Sequence, residues 1–126
     1  MKSILVVLLL LLRITSYAQN DDLIGKLIVT AKEGLQQKKE VTFDNQSNSL
    51  RIGEWIIPVS KNTLVKIEFE NSYYEVEFSL QKGTAIRSTA DSNWRRASFA
   101  LSFKSQEAAK NFAHLFQEIT EKENVN

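Results

Sequence analysis

Residues 97–122 read ASFALSFKSQEAAKNFAHLFQEITEK, and this stretch decides the fold. In its first half, apolar side chains recur at every second residue, as they do on one face of a β-strand. After Ser105 the apolar side chains recur with the spacing of one helix face. Ser105 suits the N-cap position and Glu107 suits the positive end of a helix. The stretch predicts a strand that leads directly into a C-terminal helix. Its apolar positions are Ala97, Phe99, Leu101 and Phe103 in the strand, then Ala108, Phe112, Leu115, Phe116 and Ile119 in the helix.

The N-terminal residues predict export. A basic start at Lys2, an apolar run over residues 4–12 and small residues at Ser16 and Ala18 are typical of a secretory signal peptide. The apolar run is too short to cross a bilayer, which needs about 20 such residues. We expect residues 1–18 to be a cleaved signal peptide and residues 19–126 to be one domain. The mature protein is then expected in the periplasm or outside the cell, without a membrane anchor.

Charge and composition narrow the function classes. Cleavage would remove Lys2 and Arg13 from the 16 basic residues, which leaves 14 against 15 acidic residues. A nearly neutral domain lacks the field that nucleic acid or an anionic membrane requires. The chain contains no cysteine, so thiolate chemistry and iron–sulfur clusters are excluded. We expect no cofactor.

Residues 21–37 are compatible with two structures. Their apolar positions share one helical face, but a strand through residues 27–30 is the alternative. Gly25 and Gly34 both weaken a long helix. We favour a short helix that precedes the strands. The apolar positions on its face are Leu23, Ile24, Leu27, Ile28, Ala31 and Leu35.

Alternating side chains from residue 40 onward predict antiparallel strands. The strongest hairpin turns at Asn71 and Ser72. Its inward side chains are Val65, Ile67, Phe69, Tyr74, Val76, Phe78 and Leu80, and its outward ones include Lys66, Glu68, Glu70, Glu75 and Glu77. Pro58 marks a strand end, since proline cannot donate to a ladder. In all, the pattern predicts an α+β fold. About seven antiparallel strands form a bent sheet or small barrel, which the C-terminal helix caps.

This order of elements resembles the pleckstrin-homology-like superfold. Residues 73–86, YYEVEFSLQKGTAI, are similar to the central hairpin of small secreted bacterial proteins of uncharacterised function with this core. The resemblance covers residues 40–122 and implies a bent barrel with one end closed by the helix. Members that bind phosphoinositides use basic residues in the first loop between strands. Residues 44–49 carry Asp44 and no basic residue, so we do not expect phosphoinositide binding.

The candidate binding residues flank a polar loop. They are Arg87, Trp94, Arg95 and Arg96. A tryptophan with neighbouring arginines can stack on a ligand and bind its carboxylate or phosphate. The alternative is that Trp94 covers a barrel end while the arginines pair with the hairpin glutamates.

Residues that could support catalysis are better explained as surface side chains. His114 is the only histidine, and it is expected on the solvent side of the helix, where Glu118 can pair with it. The hairpin glutamates alternate with a buried face and are expected to point to water. No serine lies in a Gly-x-Ser-x-Gly turn. The sequence therefore predicts neither an enzyme nor a metal site.

For function we expect a secreted, non-enzymatic binding or interaction module. Its partner would be an unidentified protein or a small anionic ligand. A small-molecule carrier is the alternative, with an apolar interior lined by Phe43, Phe69, Phe78 and Phe99. A hydrolase is the third and least favoured alternative.

Overall fold

The structure, a computed structural model, describes residues 21–70, 73–81 and 83–123. Residues 21–34 form helix α1. The strands that follow are β1 (Val41–Asp44), β2 (Ser49–Ile52), β3 (Trp55–Pro58), β4 (Thr63–Glu70), β5 (Tyr73–Leu80), β6 (Ile86–Ser88), β7 (Arg95–Arg96) and β8 (Ser98–Phe103), and the chain ends in helix α2 (Gln106–Glu123). Every strand pairing is antiparallel, so the predicted α+β class is confirmed. The predicted signal peptide and the hairpin turn at Asn71 and Ser72 lie outside the described residues.

The strands form two sheets, whereas the sequence predicts one bent sheet or small barrel of about seven strands. A five-stranded sheet has the order β1-β2-β3-β6-β7, and a three-stranded sheet has the order β4-β5-β8. The division falls at Ala97. The strand before it pairs with β6, while the Ala97 carbonyl already accepts a hydrogen bond from the Leu80 N–H at 2.8 Å on the β5 side. Within the described ranges the two sheets do not close into a barrel.

Helix α1 confirms the favoured structure for the N-terminal part of the domain. It buries one face, formed by Leu23, Leu27 and Ala31. The helix ends at Gly34, and Leu35 then forms an antiparallel bridge with Phe103 of β8. The alternative strand through residues 27–30 is therefore wrong.

Helix α2 closes the core as the sequence predicts. Phe112 and Phe116 are fully buried, and both rings lie against Phe78 of β5, with ring centroids 6.1 and 5.4 Å apart. The Ser105 hydroxyl accepts a hydrogen bond from the Ala108 N–H at 3.1 Å, which is the expected N-cap. The strand positions Leu101 and Phe103 are buried, whereas Ala97 at the bend is exposed. These aromatic rings fill this part of the interior.

The β4–β5 hairpin departs from the prediction at one end. Its inner face is buried at Phe78 and Leu80, but Phe69 is 58% exposed although the alternation predicts it inside. Phe69 lies near the turn, where its ring packs edge-on against Tyr74 with centroids 5.5 Å apart. The prediction that Phe69 lines an apolar interior is therefore wrong. No described helix is long and apolar enough to span a membrane.

Candidate anion-binding surface

A row of directly opposed residues crosses all five strands of the larger sheet. We call it the arginine row. Its register pairs Thr42 with Arg51, Arg51 with Ile56, Ile56 with Arg87 and Arg87 with Arg95. Residues one position away in the inner strands are buried, for example Ile52, Ile57 and Ile86. Because side chains alternate between the faces of a sheet, the arginine row lies on the outer face.

Two arginines of the row face each other without an intervening residue. Arg87 and Arg95 are register partners in β6 and β7, and both are exposed. Directly opposed residues have Cβ atoms about 5 Å apart, and like charges in this position repel. Arg51 lies two strands from Arg87, which is about 10 Å at the usual spacing of strands. The row therefore concentrates three positive charges on one face.

Among the described side chains, no acidic group forms an ion pair within 4 Å with an arginine of the row. The ion pairs within 4 Å join Lys26 to Asp22, Lys66 to Glu68 and His114 to Glu118. None of them involves an arginine of the row. The predicted pairing of the loop arginines with the hairpin glutamates is thus not found among the described side chains, where Glu68 pairs with a lysine of its own strand instead.

Two shallow pockets border Arg51. One, of about 310 Å³, is lined by Glu40, Thr42, Arg51 and Gly53. The other, of about 330 Å³, is lined by Thr42, Phe43, Asp44, Ser47, Ser49, Arg51 and Ile56. Hydroxyl groups and a guanidinium beside a half-buried isoleucine can hold an anion through hydrogen bonds while its apolar part contacts Ile56.

Asp44 and Glu40 are acidic residues of this surface, and the Asp44 carboxylate accepts hydrogen bonds from its own turn. Its Oδ2 accepts a hydrogen bond from the Ser47 hydroxyl and its Oδ1 one from the Gln46 N–H, both at 2.9 Å. The Ser47 hydrogen bond, followed by that of Gln46, lowers the pKa of Asp44 below its ordinary value of 3.8. The β1–β2 turn therefore holds the carboxylate, and the charge of Arg51 makes a smaller contribution to the lowered pKa.

The structure divides the four predicted binding residues into two pairs. Arg87 and Arg95 lie together on the outer face. Arg96 is opposite Ile86 in the register and so belongs to the inner side of β7, where its guanidinium carbon lies 5.7 Å from the centre of the Trp94 ring. Sequence order places Trp94, Arg95 and Arg96 side by side, but strand alternation sends Arg95 to the other face.

Trp94 combines a packing contact with partial exposure. Its ring is half-buried and meets Phe99 of β8 edge-on, with centroids 5.9 Å apart. Trp55 of β3 contacts the same Phe99 at 4.9 Å, and the Lys39 ammonium lies 5.2 Å from the Trp55 ring centre. Trp94 therefore helps to join the two sheets. The alternative offered by the sequence was that Trp94 covers a barrel end, and the described strands do not close into a barrel.

Sequence reasoning missed Arg51. It lies 36 positions before Arg87, and only the order β2-β3-β6-β7 brings it into the row. The one available signal is its place between the apolar residues Leu50 and Ile52, which predicts an outward side chain but no neighbour.

The other titratable residues that the sequence singled out lie on solvated surfaces. The His114 side chain is 77% exposed, and its Nε2 lies 3.6 Å from Glu118 Oε1. Glu68 and Glu75 are register partners on the outer face of the three-stranded sheet, and Glu77 accepts a hydrogen bond from the Ser98 hydroxyl at 3.2 Å. Among the described residues, no group of three or more potential metal ligands is found.

Comparison with protein-family models, curated proteins and solved structures finds no match for this chain.

Proposed function

We propose that the protein is an exported, non-enzymatic binding module with a pleckstrin-homology-like core, which holds an anionic ligand on the arginine row. The observation that carries the proposal is the register pairing of Arg87 with Arg95, with Arg51 in the same row. Bound anions would remove the repulsion between the paired arginines, and this repulsion is unfavourable in the free protein.

The chemistry of the row favours carboxylate or phosphate groups. Guanidinium groups bind both through two parallel hydrogen bonds, and they lose less hydration than an ammonium does. The row also predicts the distance between the anionic groups of the ligand. One anionic group would bind between Arg87 and Arg95, and a second would bind Arg51 about 10 Å away, on the far side of Ile56. A ligand with two separated anionic groups and an apolar segment between them fits this surface.

A phosphoinositide headgroup remains an unfavoured ligand. The β1–β2 turn, which would correspond to the basic loop of lipid-binding pleckstrin-homology domains, carries Asp44 with its carboxylate held by Gln46 and Ser47. The proposed surface is the sheet face beside this turn.

The experiment compares two polyanions as probes. Fluorescently labelled poly-L-glutamate represents a protein partner, and inorganic tripolyphosphate represents a small anion. Binding to the purified protein is measured by anisotropy and by calorimetry at physiological ionic strength. Since an exposed charge pair contributes up to about 1 kcal/mol, the double variant R87Q/R95Q is expected to weaken binding of the preferred probe about tenfold.

The matched control is K61Q/K110Q, which removes two exposed positive charges from the β3–β4 connection and from α2. It is expected to bind like the wild type. Equal losses in both double variants would show that net charge alone governs binding and would contradict the proposed site. Failure of the wild type to bind either probe would also contradict it. Because Arg87 and Arg95 are exposed, neither variant should change the melting temperature by more than a few degrees.

A further inference from the structure

Strand β8 is an edge strand, and the structure shows which of its residues form backbone hydrogen bonds with β5. It pairs with β5 on one side only, in the order β4-β5-β8. The Leu80 N–H donates to Ala97 O, so every second residue after Ala97 bonds to β5. These residues are Phe99, Leu101 and Phe103. The backbone groups of Ser98, Ala100 and Ser102 consequently point to the open edge.

The chain itself already pairs with one end of this edge. The Gln36 N–H donates to Ser102 O at 2.9 Å and the Lys104 N–H donates to Gly34 O at 2.8 Å, which together make the Leu35–Phe103 bridge. The ladder stops after this bridge. In the described part of the chain, Ser98 and Ala100 have no backbone partner on this side. The edge is therefore able to pair with a strand, and two of its three outward residues are open.

The side chains along the open edge leave it accessible. Ser98, Ala100 and Ser102 are small, and Ala100 is exposed. Exposed edges are usually protected by lysine, proline, a bulge or a covering segment. Ser98 and Ala100 themselves carry none of these features. Residues 36–39 border the edge across a pocket beside Ala100, but beyond Gln36 they form no backbone hydrogen bond with β8 among the described residues. An added strand would therefore enter between β8 and this segment.

A pocket lies beside Ala100, Leu101 and Ser102 at the edge of the strand. Its volume is about 190 Å³, and it is lined by Leu35, Gln36, Gln37, Lys39, Trp55, Ala100, Leu101 and Ser102. In a strand paired with Ala100, the neighbouring side chains would alternate to the inner face. One of them would enter the pocket between Leu101 and Trp55. Lys39, whose ammonium lies 5.2 Å from the Trp55 ring centre, supplies a positive charge at the rim.

We propose that the open edge of β8 binds an extended peptide segment of a partner protein by strand addition. The segment would pair with Ala100, place one apolar side chain in the Trp55–Leu101 pocket and direct an acidic side chain to Lys39. The alternating N–H and C=O groups of an edge are matched only by another extended backbone, which is why the occupant is a peptide. The site is separate from the arginine row and uses none of its residues.

The experiment first selects peptides and then tests how they bind. A displayed library of random linear dodecapeptides is selected against the purified protein, and the enriched peptides are synthesised and titrated. A100P removes the outward N–H of residue 100 at a position where proline is tolerated, because that N–H has no partner in the fold. It is expected to lower peptide affinity about tenfold or more, through a lost ladder hydrogen bond and a blocked approach. A100T keeps the N–H and is expected to bind like the wild type.

A second measurement does not depend on the folding of A100P. Peptide binding is expected to slow hydrogen exchange at the amides of Ser98 and Ala100, while the amides of Phe99 and Leu101 are already protected in the free protein. R87Q/R95Q is expected to retain the peptide, which separates this site from the proposed function. Four outcomes would overturn the inference: no enriched peptide, equal affinity for A100P, unchanged exchange at Ser98 and Ala100, or protection of these amides by self-association, since the occupant would then be a second copy.

Discussion

Asp44 shows how one exposed carboxylate is held in place by its own turn. Its two oxygens accept hydrogen bonds from the Gln46 N–H and the Ser47 hydroxyl, and Asn48 then takes a positive φ of 54° as the chain enters β2. These hydrogen bonds favour the ionised form, which lowers the pKa of Asp44. The residue therefore stabilises the β1–β2 connection more strongly when it is charged.

We predict a pH-dependent effect of Asp44→Ala. A carboxyl group with a lowered pKa in the folded state stabilises the protein above its unfolded pKa, and this stabilisation is lost as the pH falls through the folded value. The variant should melt below the wild type at neutral pH, and the difference should shrink as the pH falls below 3.8. Thermal melts over a pH series test this. A difference that is constant with pH would contradict it.

Ser47→Ala should raise the pKa of Asp44 in an NMR titration.

Individual residues also show what the sequence could and could not predict. The exposed arginines at positions 87 and 95 and the buried Phe112 and Phe116 follow from local pattern alone. Arg51 could not be placed beside Arg87, because their proximity depends on strand pairings between distant parts of the chain. Phe69 was misassigned because alternation gives the face of a strand but does not tell where along the hairpin the core ends.

Among the elements, α1 meets the rest of the fold at a point where only glycine fits. A Cβ on Gly34 would lie 2.9 Å from the Ala108 Cβ of α2 and 3.2 Å from the Phe103 ring of β8. Gly25, in the same helix, would meet nothing within 4 Å. The glycine that weakens the helix locally at position 34 thus permits its close contact with α2 and β8.

We predict opposite effects for alanine at these two glycines. Gly25→Ala should stabilise the protein by about 0.5–1 kcal/mol, because alanine is the better helix former and the site is open. Gly34→Ala should destabilise it by about 1–3 kcal/mol, because the added methyl group must push α2 or Phe103 aside. Denaturant unfolding of both variants measures the free energies. Equal stabilisation by the two substitutions would show that α1 does not pack as described.

At the scale of elements, local patterns predicted the helices and the main hairpin but not their assembly. Helix α2 and the β4–β5 pair have clear periodicity, and their partners are close in sequence. The division into two sheets depends on β3 pairing with β6 and on the change of partner at Ala97. The alternation of residues 97–103 continues through this bend, so the pattern carries no sign that the strand changes sheets.

The whole molecule carries opposite charges on its two outer faces. The five-stranded sheet presents Arg51, Arg87 and Arg95 together with Asp44, whereas the three-stranded sheet presents Glu68, Glu75 and Glu77 together with Lys66. The formal net charge of the full sequence is only +1. The near-neutral total, which disfavoured a polyanionic partner at the level of composition, therefore conceals a local basic surface.

We predict that this separation is visible in chromatography. At neutral pH and low ionic strength the wild type should be retained on both cation and anion exchangers, because each resin can bind one face. R87Q/R95Q should lose retention on the cation exchanger and keep it on the anion exchanger. K61Q/K110Q, which has the same change in net charge, should still be retained on both. Identical elution of the two double variants would mean that the faces do not act separately.

The opposed faces have a consequence for how the molecule arrives at a target. Because the protein has almost no net charge, its long-range attraction to a charged surface is weak. Such a surface nevertheless exerts a torque on a protein that has one basic and one acidic face. The protein should therefore rotate before contact, within about 10 Å of the charged surface at physiological salt. The five-stranded sheet would face a negative surface, and the three-stranded sheet would face a positive one.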